Sequence, residues 1–156
     1  MVRYAPGMNV TLGHIGSLYT ANDPFQVITA RYLERASPFA RCKTEAFKTE
    51  EALFAWIQRH KSRTPIIPVL LDSHGKAMTS ESLAAWIGGH RQEGAQHIVF
   101  AIGPADGWSA DALLRAKLIL SLGSFTLAHA VARLVLAEQI YRATTILTGH
   151  PYHSGH

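Results

Sequence analysis

The chain has 156 residues, of which 47% are hydrophobic and 17% are charged, a composition typical of a folded domain that buries its own core. Its single cysteine, Cys42, excludes an internal disulfide and a cysteine-based zinc cluster, and no apolar run reaches the roughly 18 residues that span a bilayer. The net charge of +4 indicates an anionic partner such as a nucleic acid, without identifying one. We therefore expect a cytoplasmic protein without a membrane anchor, folded as a single domain over residues 8–156 after a short leader, residues 1–7.

Strand-like and helix-like patterns alternate through the first half of the chain. The predicted elements are, in order, a strand over residues 9–15, a helix that begins at Asp23-Pro24, a short edge strand over residues 43–47, a helix capped by Thr49, and a strand over residues 66–71. The last of these is apolar throughout, which is typical of a strand buried on both faces of a sheet.

The second half continues the alternation. It predicts a helix from Thr79, a second buried strand over residues 98–102, a helix capped by Ser109 over residues 110–122, a short strand over residues 124–127, and a helix over residues 129–145. The apolar stripe Leu113, Leu114 and Leu118 is expected to lie in the core. Together the two halves predict an α/β fold with a parallel sheet covered by helices on both faces.

Ligands of parallel sheets bind at the carboxyl ends of the strands. In this chain that rule selects three loops, over residues 72–75, 103–107 and 122–127. The middle one, GPADG, lacks both GxGxxG and a GKS or GKT sequence, so a nucleotide phosphate cradle is not indicated. It is either a plain turn or a backbone-rich site for a small polar cofactor.

The chain ends in GHPYHSGH. Three histidines without carboxylate or thiolate partners make a poor zinc site, so we expect no metal there. Pro151 stiffens the segment and holds Tyr152 and His153 at a fixed separation, and such side chains stack on bases and handle their protons. Arg142, four residues after Glu138, can pair with that carboxylate or face the same ligand as the tail.

Four stretches, LLDSHGK, VFAIGPADGWS, LSLGSFTLAHAVARLVLAEQIYRA and GHPYH, together resemble the ribosomal RNA large subunit methyltransferase H family in order and spacing. The resemblance implies a SPOUT-class enzyme with a C-terminal trefoil knot, which methylates N3 of a pseudouridine of 23S rRNA in the intersubunit stem-loop, helix 69, on the ribosome. It also implies S-adenosylmethionine as cofactor, no metal, and a homodimer in which each tail completes the partner's pocket.

Carried over position by position, the resemblance assigns two sets of residues. Those implied to bind the cofactor are Leu71, Gly103, Leu122, Gly123, Ser124, Phe125, Thr126 and Leu127. Those implied to act on the target base are Arg142, Tyr152 and His153. Tyr152 or His153 would handle the N3 proton or position the base, and Arg142 would stabilise charge that develops on the uracil oxygens. We expect a valine at Gly103 to fill the cofactor pocket without disturbing the fold.

The chain departs from the family pattern at several positions. Pro104 stands where the family usually has a second glycine, Ala128 and Ala130 replace paired prolines, and Ser154 replaces a basic residue. A lysine-rich loop before Phe47 is also shortened. Pro104 is the main support for one alternative, a SPOUT-like dimer that binds RNA but is catalytically impaired. A second alternative, an enzyme that methylates another RNA such as tRNA, is disfavoured because nothing in the sequence resembles an added tRNA-binding domain.

Overall fold

The structure is a computed structural model that describes residues 7–155, so most of the predicted leader and His156 lie outside the described residues. Strands and helices alternate along the chain. The elements are β1 (Met8–Ile15), α1 (Pro24–Arg35), β2 (Ala40–Phe47), α2 (Glu50–His60), β3 (Ile67–Ala77), α3 (Ser80–Gln92), β4 (His97–Ile102), α4 (Ala110–Arg115), β5 (Leu118–Ser121), α5 (His129–Thr148) and a 3-10 turn, His153–Gly155.

The described strands form one parallel sheet in the order β2-β1-β4-β3-β5. Side chains alternate across it, as a pleated strand requires. Ile98 and Phe100 of β4 pack toward α1, α3 and α5, whereas Val99 and Ala101 pack toward α2 and α4. The prediction of a parallel α/β sheet with helices on both faces is therefore confirmed.

The helix starts follow the predicted capping residues. Asp23 Oδ1 accepts hydrogen bonds from the backbone N–H groups of Phe25 and Gln26 at 2.9 and 3.2 Å, and Pro24 occupies the first turn. Thr49, Thr79 and Ser109 cap α2, α3 and α4 in the same way. Each cap satisfies backbone donors that a helix start leaves without partners.

The prediction for residues 110–127 is wrong in part. Helix α4 ends at Arg115, because Ala116 is extended (φ −71°, ψ 137°) and the N–H of Lys117 donates to the carbonyl of Pro68 at 2.8 Å. That bond draws the following residues into the sheet as β5, and the expected strand over residues 124–127 is an irregular loop instead. Leu114, expected in the core, is 86% exposed.

Strand β3 continues past the predicted end at residue 71. Its pairing with β5 shifts register between Leu71 and Lys76, so the expected loop over residues 72–75 is a bulge within the strand. A Cβ at Gly75 would lie 2.6 Å from the carbonyl oxygen of Ile119, so β5 approaches the bulge more closely than a larger residue permits.

Two expectations concern the molecule as a whole. None of the described helices combines the length and apolarity that crossing a bilayer requires. The trefoil knot that the resemblance implies stays a prediction.

Candidate active site

A cavity of about 210 Å³ opens beside the bulge of β3 and the ends of β4 and β5. Leu71, Ile102 and Leu120 supply apolar walls from the three strands, and the loop after β5 closes one side. Seven of the eight residues predicted to bind the cofactor line this cavity; Ser124 does not. The three loops that the strand-end rule selected all contribute to this cavity, and the assignment of its residues to a cofactor stays a prediction.

Trp108, which the sequence reasoning missed, covers Gly103. Its indole Nε1 donates to the carbonyl oxygen of Leu71 at 3.0 Å, which ties the loop after β4 to β3. A Cβ at Gly103 would lie 2.8 Å from Trp108 Cε2 and Nε1. A valine at Gly103 would have to displace the indole. The expectation that Gly103→Val leaves the fold undisturbed is therefore wrong. The apolar Trp beside GPADG was the signal that could have revealed this contact.

The loop after β4 is a tight turn, in which the N–H of Gly107 donates to the carbonyl of Pro104 at 2.9 Å. Pro104 and Gly107 both line the cavity. The plain turn and the cofactor site, the two interpretations of GPADG, are thus compatible. Pro104 has no N–H, so at this position the cavity loses one donor.

The loop after β5 is held at its base by Ser121, whose Oγ accepts from the N–H of Gly123 at 3.1 Å and lies 3.2 Å from the carbonyl oxygen of Ser73. Gly123 has φ 126°, a conformation that favours glycine. Beyond it, the backbone N–H groups of residues 124–127 donate to no other described residue. Apolar walls beside unpaired backbone donors fit S-adenosylmethionine, whose adenine needs both.

The second part of the site lies at the end of α5. Gly149 is left-handed (φ 75°), and the N–H of His150 donates to the carbonyl of Thr145 at 2.9 Å, so the tail turns back along the helix. The ring of Tyr152 then packs edge-on against Tyr141, with centroids 4.7 Å apart. All three predicted catalytic side chains, Arg142, Tyr152 and His153, meet there.

The contacts fix the protonation of two of these groups. His153 Nδ1 lies 2.9 Å from Arg142 Nη1, and because arginine can only donate, Nδ1 is the acceptor of this hydrogen bond. The ring proton is then on Nε2, which donates to Glu81 Oε1 at 2.6 Å. The hydroxyl of Tyr152 donates to Glu138 Oε1 at 3.0 Å. Burial and this carboxylate raise the pKa of Tyr152 to about 12, so its proton stays in place at neutral pH.

The predicted pairing of Glu138 with Arg142 is present, with Oε1 2.6 Å from Nη2. Its contact with Tyr152 and the contact of Glu81 with His153 were not predicted. Glu81 carried only the signal of a helix start, so nothing in the sequence pointed to the tail.

The cluster of the three predicted catalytic side chains and the cavity are separate within one chain. Among the described residues, the walls of the cavity include none from the tail and not Arg142. No group of three or more His, Cys, Asp or Glu side chains in the described part of the chain is placed to hold a metal ion.

Comparisons with known proteins show the family to which the chain belongs. A family model described as a predicted SPOUT methyltransferase matches residues 8–153. The ribosomal RNA large subunit methyltransferase H of Koribacter versatilis is 45% identical over 88% of this chain and 93% of its own length. The protein of the same name from Agrobacterium fabrum is 36% identical over 94% and 99%.

Two solved structures share the fold. A probable methylase family protein from Haemophilus influenzae Rd KW20 has a TM-score of 0.58 at 8% identity and is covered over 70% of its length. The SpoU methyltransferase AviRb from Streptomyces viridochromogenes, in complex with AdoMet, has a TM-score of 0.51 at 11% identity. This chain is covered over 93% in both cases but spans only 62% of the AviRb chain. At such identities the likeness shows the fold alone. By the family match and its relatives, the chain belongs to the SPOUT methyltransferases, in the ribosomal RNA large subunit methyltransferase H family.

Proposed function

We propose that this protein transfers a methyl group from S-adenosylmethionine to N3 of a pseudouridine of 23S rRNA, in the intersubunit stem-loop of the ribosome, helix 69. The observation that carries the proposal is the convergence of seven predicted cofactor residues on one cavity at the strand ends. The net charge of +4 suits a polyanionic substrate.

The cavity would hold the cofactor mainly through backbone and apolar contacts. Leu71 and Leu127 offer apolar surface for an adenine ring, and the N–H groups of residues 125–127 offer donors for its polar edge and for the ribose. When bound, S-adenosylmethionine supplies a methyl group on a sulfonium, whose sulfur leaves as a neutral thioether. The protein's task is then to align that methyl group with N3 and to manage one proton.

Removal of the N3 proton is the more difficult requirement, because the pKa of N3 in a free uracil is close to that of tyrosine, so N3 is protonated at neutral pH. The N3–H bond must break, and its electron pair forms the bond to carbon. His153 is favoured as the acceptor, since its Nδ1 has a lone pair that can take the proton once N3–H replaces Arg142 Nη1 as its donor, whereas the hydroxyl of Tyr152 keeps its own proton. Tyr152 then positions the base, and Arg142 stabilises the negative charge on the uracil oxygens.

We further propose a homodimer in which the tail of one subunit lies over the cavity of the other. The separation of the tail from the cavity of its own chain supports this. So does α5, which packs Leu136 and Ile140 into the core but leaves Val131, Leu134 and Val135 half-exposed. Residues of α1 extend the apolar surface, with Phe25, Val27 and Ile28 each at least 41% exposed.

The test is nucleoside mass mapping of 23S rRNA from a strain that lacks the gene, before and after incubation of its ribosomes with the protein and S-adenosylmethionine. The proposal expects one new methyl group on one pseudouridine. The impaired-dimer alternative, which Pro104 favours, expects ribosome binding without any product. Methylation of tRNA in a parallel reaction, with rRNA unchanged, would support the other alternative.

A further inference from the structure

We propose that Glu138 is a positioning residue of the methyl transfer, which holds Arg142 and Tyr152 in one fixed arrangement. The inference rests on the proposed function, and nothing in the sequence distinguished Glu138 from an ordinary partner of Arg142 on the helix surface. The geometry around its carboxylate makes the distinction.

One oxygen of Glu138 serves both functional side chains. Its Oε1 accepts from Arg142 Nε at 2.9 Å, from Arg142 Nη2 at 2.6 Å and from the hydroxyl of Tyr152 at 3.0 Å. An exposed pair four residues apart on a helix normally makes one mobile contact. Here Arg142 donates through two of its nitrogens, and its side chain is only 14% exposed, so the plane of the guanidinium is fixed.

The two hydrogen bonds to Glu138 set the direction of the rest of the guanidinium. Because Glu138 occupies the side of Nε and Nη2, Nη1 is directed toward His153, where it meets Nδ1 at 2.9 Å. The guanidinium carbon also lies 4.8 Å from the centre of the Tyr152 ring. The three catalytic side chains therefore share one carboxylate, directly or through Arg142.

Glu138 is itself held by neighbours. Its second oxygen, Oε2, accepts from Gln139 Nε2 at 2.8 Å, and Gln139 Oε1 accepts from the hydroxyl of Ser80 at 2.6 Å. Ser80 begins α3, so the network joins the tail cluster to a second helix. A carboxylate fixed on both sides is suited to positioning, because it has no freedom to follow a moving partner.

Two consequences follow if the carboxylate positions the cluster. In Glu138→Gln the two hydrogen bonds from Arg142 lose the charge that strengthens them, and in Glu138→Ala they are absent. The guanidinium is then held less firmly, so charge on the uracil is stabilised less and turnover falls. Burial, the largest cause of the raised pKa of Tyr152, stays in place, but the negative charge beside the hydroxyl is lost, so the pKa falls below its wild-type value of about 12. The cofactor cavity contains no residue of this network, so cofactor affinity is unaffected.

The experiment compares Glu138→Gln and Glu138→Ala with the wild-type protein. The control is Glu93→Gln, which removes one carboxylate from an exposed position at the end of α3. Turnover and the KM for S-adenosylmethionine are measured on ribosomes from a strain that lacks the gene. The titration of Tyr152 is followed by NMR of tyrosine labelled at the ring carbon that bears the hydroxyl, with Tyr152→Phe to assign the signal.

We expect Glu138→Gln to lower kcat by about 30-fold or more at an unchanged KM for the cofactor. Tyr152 titrates at a lower pH in Glu138→Gln than in the wild-type protein. Glu93→Gln matches the wild type in both. A kcat within about threefold of wild type, or a Tyr152 titration that does not move, overturns the inference. A fall in thermal stability that by itself accounts for the lost turnover also overturns the inference, since Glu138 would then only stabilise the fold. The titration needs no RNA, so this inference can fail while the proposed function holds.

Discussion

The contact between Gly103 and Trp108 allows a sharp test of how the cofactor cavity is built. Gly103→Ala adds one methyl group 2.8 Å from the Trp108 ring, at least about 0.7 Å closer than carbon atoms normally pack. The indole must move, and its hydrogen bond to Leu71 weakens. Overpacking costs about 1–3 kcal/mol and the lost bond about 1 kcal/mol, so the free energy of unfolding should fall by about 2–4 kcal/mol.

The matched control is Gly89→Ala in α3. A Cβ there has no other atom within 4 Å, so the substitution should stabilise the helix by about 0.5–1 kcal/mol. Urea titrations of both variants measure the difference. Calorimetry with S-adenosylhomocysteine should show about tenfold weaker binding for Gly103→Ala alone, because Trp108 lines the cavity.

A double substitution identifies the cause. Alanine at position 108 removes the three indole atoms, Cε2, Nε1 and Cδ2, that the added methyl group would meet. In the Trp108→Ala background, Gly103→Ala should therefore cost less than about 1 kcal/mol. The reasoning is refuted if Gly103→Ala costs under about 0.5 kcal/mol in the wild-type background, or if its cost is the same in both backgrounds.

The remaining predictions concern assembly, pH and the tail. Light scattering of the wild-type protein should give about twice the chain mass of 17.1 kDa. The Leu134→Glu variant should be monomeric and should not transfer methyl groups. A wild-type monomer at micromolar concentration would contradict the dimer. Burial, with smaller effects of two nearby basic groups, lowers the pKa of His97 from 6.5 to about 4. The unfolded chain therefore binds a proton in that range that the folded protein does not, and stability falls as pH drops from about 6.5 to about 4. His97→Gln should flatten this slope in urea titrations, and an unchanged slope would contradict the assignment. Truncation after His153 should keep most activity. Truncation before His150 should abolish methyl transfer but leave the binding of S-adenosylmethionine, measured by calorimetry, near wild type. Loss of both methyl transfer and cofactor binding in the second truncation would show that the tail supports the fold.

The sequence predicted those features that depend on neighbouring residues. Helix starts at Asp23, Thr49 and Thr79 were correct, because a cap needs only its own side chain and the next turn of backbone. The cavity could be placed because parallel strands end at one edge of the sheet, so the loops that follow them must meet.

The errors arose where a distant part of the chain decides the structure. An apolar run such as LILS suits a helix or a strand equally, and only its pairing with β3 makes it β5. The bulge in β3 depends on the same pairing. The meeting of Arg142 with Tyr152 and His153 depends on the left-handed turn at Gly149, and the roles of these residues came from the family resemblance rather than from spacing.

The central claim is that the cavity of one subunit and the tail of the other form one site for methyl transfer. Two variants, each expected to be inactive, test it together. Arg142→Ala disables the tail cluster. Leu127→Arg puts a long charged side chain into the apolar cavity wall, where we propose that the adenine ring of the cofactor lies. Each is checked alone for inactivity and for a folded dimer, and the two are then mixed under conditions in which subunits exchange.

Methyl transfer to 23S rRNA is the measurement. In a mixed dimer, the intact cavity of the Arg142→Ala subunit meets the intact tail of the Leu127→Arg subunit. Half of the dimers are mixed and each has one working site of two, so the account predicts about a quarter of wild-type activity. If cavity and tail of the same chain worked together, every site would carry a defect. Activity that stays at the level of the separate variants would therefore contradict the account.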